Sequence, residues 1–284
     1  MTTSVGPLLR SWRERRGISQ LELAGRADSS ARHISFVETG RSRPSEEMVV
    51  RLAERLDVPV RERNALLLAA GYAPRYPHTP LDAPQMAALR EGLERLLAAY
   101  EPYPALVVDG TYTVVAANRG IAVLLDGLPE HLLAPPLNAM RITLHPQGLA
   151  SRIQNLAEWR GHLLAQMERQ VALARSEPLR ALYEEVSAYP VASPGPRPTD
   201  HPDRAGHPDP SGQAGPTDPS EPADPAPAPL ALPLRIVHEG QLLSFVSTIA
   251  TFNTPMDVTV AELAIETLLP ADPATAKYLR SLGP

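Results

Sequence analysis

Apolar residues recur at helical spacing through roughly the first seventy positions and in alternating or continuous runs beyond them, so the change of period divides the chain. Val5, Leu8, Leu9 and Trp12 share one helical face, which predicts a helix from Val5 to Arg16 that stops at Gly17. The stretch "SQLE" at 19–22 is a capping box: Ser19 and Glu22 can satisfy each other's free amides, and a second helix starts there. That helix runs through Leu23, Ala24 and Ala27 and ends at Asp28. A third begins with Ser29 or Ser30 as its cap, which leaves almost nothing for the turn and forces a sharp crossing. Asp28 is expected to take the left-handed backbone of that turn. Ile34 and Val37 turn the third helix inward, and Gly40 closes it. "PSEEMVVRLAERLDV" gives a fourth helix with Ser45 as cap, two acids in its first turn, and Val49, Leu52, Ala53 and Leu56 on one face. "VRERNALLLAAGY" gives a fifth, closed at Gly71.

Four prolines between 74 and 84 mark a boundary. "QMAALREGLERLLAAY" then reads as an amphipathic helix. "YPALVVDGTYTVVAAN" reads as two strands around Asp109-Gly110, a strong hairpin signal. A short helix follows from Gly120 to Leu125, and 150–189 is rich in helix with a break near Pro178. Between Pro190 and Pro233, 44 residues hold 14 of the 32 prolines and no aromatic, a composition that cannot offset its ordering entropy, so disorder is expected. Strand character returns at "PLRIVHEGQLLSFVSTIATF" around Glu239-Gly240. "VTVAELAIETLLP" supplies a further strand and "PATAKYLRSL" a terminal helix. The expected organisation is a helical domain at 1–73, a linker at 74–85, and a second domain at 86–189 and 234–284, with 190–233 inserted into it.

Composition narrows the chemistry. The 284 residues contain no cysteine, which excludes disulfides, thiolate metal sites and a cysteine nucleophile. The net charge is −5, yet residues 1–80 carry 13 Arg against 9 acidic residues, so the front is +4 and the remainder −9. That asymmetry permits attraction of the front to phosphates. No apolar run approaches the roughly 18 residues needed to span a bilayer, and no secretory signal pattern opens the chain, so a cytoplasmic location without membrane contact is expected. Serine-elbow, paired-histidine zinc, phosphate-loop and calcium-loop motifs are absent from the sequence. No catalytic residue, cofactor or metal is therefore expected. In the insert, "HPDRAG" repeats as "HPDPSG", but extended proline-rich backbone does not hold His201, Asp203, His207 and Asp209 in a fixed ligand geometry.

A capped helix, a tight turn and a second helix with inward Ile34 and Val37 fit a helix-turn-helix; the same periodicity also fits any small bundle with a solvated third helix. The stretch "LRSWRERRGISQLELAGRADSSARHISFVETGRSRPSEEMVVRLAERLDVP" resembles the Cro and lambda-repressor-like, or XRE, regulators. Gln20, Ala24, Ile34, Glu38 and Gly40 fall in register with that family's signature, and Asp28 stands where the family favours glycine. The resemblance implies binding to operator DNA as a homodimer, with the third helix in the major groove. Its outward residues Ser30, Ala31, Arg32, His33, Ser35 and Phe36 would face bases, Arg32 being suited to two-point contact with guanine. Phe36 either meets a thymine methyl or is covered by the second helix. Ser19 and Gln20, at a helix amino terminus, are positioned for phosphate, as the family uses its matching glutamine. Arg41 and Arg43 reach phosphate or are solvated. Arg13 and Glu38 match positions that pair structurally in that family.

The second domain has its own resemblance. "YPALVVDGTYTVVAANRG", "NAMRITLHPQGLASRIQNLAEW" and "LLSFVSTIATFNTPMDVTVAELAIETLLPAD" resemble the ligand-binding domain of MmyB-like transcriptional regulators. The resemblance implies a PAS-like fold and a small-molecule site for an apolar, fatty-acid-like ligand. The expected class is thus α+β, a five-helix bundle followed by a PAS-like α/β sensor domain. Val107, Val115, Met140, Met167, Phe245 and Ile249 either face one cavity or form the core. Arg141 or His145 would meet a ligand carboxylate, or "MRITLHPQG" is a polar strand edge. Two rival readings stay open: a hydrolase built on dispersed carboxylates, and a protein-binding scaffold or antitoxin that uses the bundle against a partner.

Overall fold

The computed structural model describes residues 4–174, 176–190 and 231–282. His201, Asp203, His207 and Asp209 lie outside the described residues. The first body is built from α1 (Val5–Arg15), α2 (Gln20–Arg26), α3 (Ala31–Glu38), α4 (Glu46–Arg55) and α5 (Val60–Ala69). Three of these helices start on a serine whose hydroxyl accepts an amide of the first turn: Ser19 from Glu22, Ser30 from His33 and Ser45 from Met48. The expected reciprocal half of the first box is replaced. Glu22 instead accepts from Arg26 one turn later, at 2.7 Å. Asp28 does take a left-handed backbone, φ 50°, and Gly40 closes α3 at φ 74°. At Gly6 a Cβ would sit 2.5 Å from the Val37 carbonyl, so α1 and α3 cross at backbone contact and only glycine fits.

Leu9, Trp12, Leu23, Ile34, Val37, Leu52, Leu56 and Leu67 fill the core of this body. Truncating any of the larger ones costs about 2–5 kcal/mol. Beneath α3, Arg13 donates to both Glu38 oxygens at 2.6 and 3.0 Å and to the Ile18 carbonyl at 2.8 Å. The Glu38 bond holds the Arg13 guanidinium above its ordinary value. This buried pair fixes α1, the start of α2 and α3 relative to one another.

The proline-rich segment after α5 is pinned at both ends. Asn64 donates to the Tyr76 carbonyl and accepts from the Arg75 and Tyr76 amides, and the Tyr76 ring is buried with Val60 and Val258. Further on, Asp257 accepts from the Thr79 amide, Thr259 donates to the Thr79 carbonyl and Val258 to the Pro77 carbonyl.

The second body is a five-stranded antiparallel sheet, PAS-like, with helices on both faces. Its strands are β1 (Ala105–Val108), β2 (Val114–Ala117), β3 (Leu234–His238), β4 (Gln241–Thr251) and β5 (Ala264–Pro270), ordered β2-β1-β5-β4-β3. The insert therefore separates β1 and β2 from the strands they share a sheet with. α6 (Ala87–Ala99) covers one face through Leu93 and Leu97. The other face is covered by α7 (Ala122–Leu125), with α8 (Glu130–Leu133) outside it against the end of α9 (Ala139–Leu144), and by α9, α10 (Leu156–Ala174) and α11 (Glu177–Ser187), and Pro178 sits in the first turn of α11. α12 (Val258–Glu262) and α13 (Pro273–Ser281) flank β5.

Three local expectations change. "MRITL" is helix α9, started by Asn138, whose side chain accepts from the Met140 and Arg141 amides; its buried Met140, Ile142 and Leu144 alternate as they would in a strand. "VTVAE" is the short helix α12, capped by Asp257, and only the residues after it are strand. The β1–β2 connection is five residues long: the Asp109 carboxylate accepts from the Thr111 amide and hydroxyl and from the Thr113 amide, and Tyr112, not Gly110, takes the positive φ of 60°. The β3–β4 turn is the tight two-residue form, with Glu239 at φ 47° and Gly240 at φ 75°.

Candidate nucleic-acid interface and ligand cavity

On the α2–α3 pair, Arg32, Phe36 and Arg41 come together. Arg32 is exposed, with its guanidinium 5.2 Å from the Phe36 ring centre, and that of Arg41 lies 6.0 Å from the same ring. Phe36 is thus half-buried between two cations. Ala31 and His33 are half-buried at the amino end of α3, Ala31 packing against the core. Gln20 donates to Glu38 at 2.8 Å, so its amide is held by the Arg13–Glu38 pair. Arg43 bonds the Ala70 and Gly71 carbonyls and stacks near the Tyr72 ring, which makes it the closure of α5. Arg15, Arg61 and the 75–79 segment supply hydrogen bonds and an ion pair between the two bodies.

The inner face of the sheet encloses an apolar cavity of about 130 Å³. Leu106 and Leu268 form its sheet wall with Glu266; Leu124, Met140, Trp159 and Leu163 close it from the helices. Register explains the membership. Leu106 lies opposite both Ala117 and Glu266, so these three form a row across β2, β1 and β5 on the cavity side. No group of three or more His, Asp or Glu positioned for a metal occurs among the described residues.

Residues 89–282 match the family described as the MmyB-like transcription regulator ligand binding domain. The chain belongs to this family. Residues 9–63 match a helix-turn-helix family, which covers α2 and α3 and most of the bundle. This MmyB-like chain is therefore a transcriptional regulator that joins an XRE-type helix-turn-helix to a ligand-sensing domain. No curated protein matches it. No helix among its described residues is long and apolar enough to cross a membrane.

Within the MmyB-like domain, Met140 is the one of the seven expected ligand residues that lines the cavity. Val107 faces α6, because β1 is buried on both faces and alternation sends Leu106 and Val107 to opposite sides. Val115 is 39% and Ile249 50% exposed. Met167 and Phe245 are fully buried in the core beside the cavity without lining it. Arg141 points away and grips both Glu185 oxygens at 2.8 and 2.7 Å, which holds Glu185 below the usual carboxylate range. His145 packs edge-on between His131 and Tyr189. Sequence reasoning missed Glu266. The signal was available in "AIETLLP", where alternation puts Glu266 on the same side as Leu268.

Proposed function

We propose that this regulator binds operator DNA as a homodimer through α3, and that a small apolar ligand with a fatty-acid-like body, held in the cavity, alters that binding. The observation that carries the DNA reading is the pair of exposed guanidinium groups, Arg32 on α3 and Arg41 just beyond it, on either side of the half-buried Phe36, with the opposite side of α3 locked by Ile34, Val37 and the buried Arg13–Glu38 pair. Such a helix presents a guanidinium to base edges from a rigid support. Arg41 and the amino ends of α2 and α3 are suited to phosphate, while Arg43 and Gln20 serve the protein's own structure first.

The route between the sites is short. Glu266 in the cavity wall lies four residues beyond Glu262, and Glu262 accepts from Arg61 of α5 at 2.6 and 2.8 Å. A ligand pressing on β5 acts on α12, and α12 holds the fifth helix of the DNA-binding body. Differential affinity for two placements of that body is what regulation requires.

The deciding experiment measures affinity for duplexes enriched by the wild-type chain from random sequence, with wild type and Arg32→Ala at several salt concentrations. Loss of about 5- to 150-fold, with folding intact and a steep salt slope in the wild type, supports the reading. Unchanged affinity would move the bundle to the partner-binding class.

A further inference from the structure

Glu266 is the one ionisable side chain in the cavity wall among the described residues. It sits mid-strand on β5, opposite Leu106 on one side and Ile249 on the other. Its Oε1 accepts from the Ser247 hydroxyl at 2.8 Å, and no Arg, Lys or His lines the space. Burial raises this carboxyl above the usual carboxylate range, and the Ser247 bond offsets only part of that. The neighbouring Tyr112 hydroxyl donates to Gln170 of α10 at 2.7 Å, and burial together with the Glu266 charge pushes it up to about 12. Arg169, also on α10, is exposed; its field acts on Tyr112 and is not among the causes of the Glu266 shift.

This setting decides what head group a ligand can carry. A ligand carboxylate beside Glu266 brings a second acid into an apolar space without a counter-ion, so one of the two must stay protonated at a cost to binding. A carbonyl head has no such conflict, because it accepts a hydrogen bond from the acid form of Glu266 through the oxygen that Ser247 leaves free. Size narrows the body as well. A cavity of about 130 Å³ is close to the roughly 150 Å³ that suffices for benzene, and longer chains require the walls to move.

We propose that the cavity selects small apolar molecules with an uncharged hydrogen-bond-accepting head, such as a ketone, ester or lactone carbonyl, and that Glu266 reads that head. This rests on the cavity being the regulator's ligand site. Whether the ligand comes from the cell or from its surroundings does not alter the recognition chemistry.

The test is calorimetric titration of the full chain with 2-pentanone, pentanoate and pentylamine, which match the cavity in size, using wild type, Glu266→Gln and Glu266→Leu. In the wild type, 2-pentanone binds at least about tenfold tighter than pentanoate. Glu266→Gln keeps a donor and removes the acid, so it retains 2-pentanone and narrows that ratio to within about threefold. Glu266→Leu loses about tenfold for 2-pentanone. Pentanoate binding as tightly as 2-pentanone in the wild type overturns the proposal, as does a ratio unmoved by Glu266→Gln. Pentylamine binding tightest overturns it in favour of an ionised Glu266 that pairs with a cation. Binding of none of the three would remove the cavity itself as ligand site, a failure distinct from a wrong head group. Should either variant fail to fold, the wild-type ranking alone decides.

Discussion

Glu266 makes the chain less stable as the pH rises. Its folded value is raised, so the native state holds this proton more tightly than the unfolded chain does. The stability it contributes is present in full below the unfolded carboxyl value of about 4.3 and is lost as pH climbs through the raised folded value. Glu266→Gln removes that slope. The melting temperature of the variant is expected to gain on the wild type between pH 4 and pH 8, read by calorimetry at both ends; a constant gap contradicts a raised carboxyl. Glu38 is a buried partner that must stay. Glu38→Ala strands Arg13 and is expected to cost about 3–5 kcal/mol in denaturant melts. What the sequence reveals at this scale depends on distance. Inward Ile34 and Val37 follow from spacing within one helix. The bonds of Arg43 to Ala70 and Gly71, and of Arg141 to Glu185, join residues 27 to 44 positions apart, which local pattern cannot show.

Among elements, the helices of the first body are legible because serine caps, glycine stops and the 3.6 period agree. Short elements are less so. α9 and α12 have six and five residues, too few for a period to show, and each is declared chiefly by an Asn or Asp cap. Cavity membership was hidden for a related reason: a sheet covered on both faces makes β1 uniformly apolar, so hydrophobicity could not say which of Leu106 and Val107 faces the ligand side. The α5–α12 contact carries its own prediction. Arg61 and Glu262 are 47% and 33% exposed, so Arg61→Ala should cost less than about 1 kcal/mol of stability. Yet it removes the strut between cavity wall and DNA-binding body. Ligand should then bind with unchanged affinity while its effect on DNA affinity shrinks, and the charge swap Arg61→Glu with Glu262→Arg should restore part of it. Full coupling in Arg61→Ala would rule the strut out.

At the scale of the whole molecule, two cores meet through the small Val60, Tyr76 and Val258 cluster. The described sheet is continuous without residues 191–230, since β1 pairs with β5 across that segment and β2 pairs with β1. Replacing 191–230 with a Gly-Ser linker is expected to leave the melting temperature within a few degrees and ligand affinity unchanged; collapse of either would make the insert part of the fold. The distribution of tryptophan is also worth using. There are two in the chain. Trp12 is sealed in the DNA-binding core with Arg15 over its ring, and Trp159 stands in the cavity wall. Each half of the molecule thus has its own fluorophore, and in Trp12→Phe all indole emission would come from beside the ligand. Occupancy of the sensor could then be followed by a change in colour or intensity, with no label and no DNA, whichever gene the regulator controls.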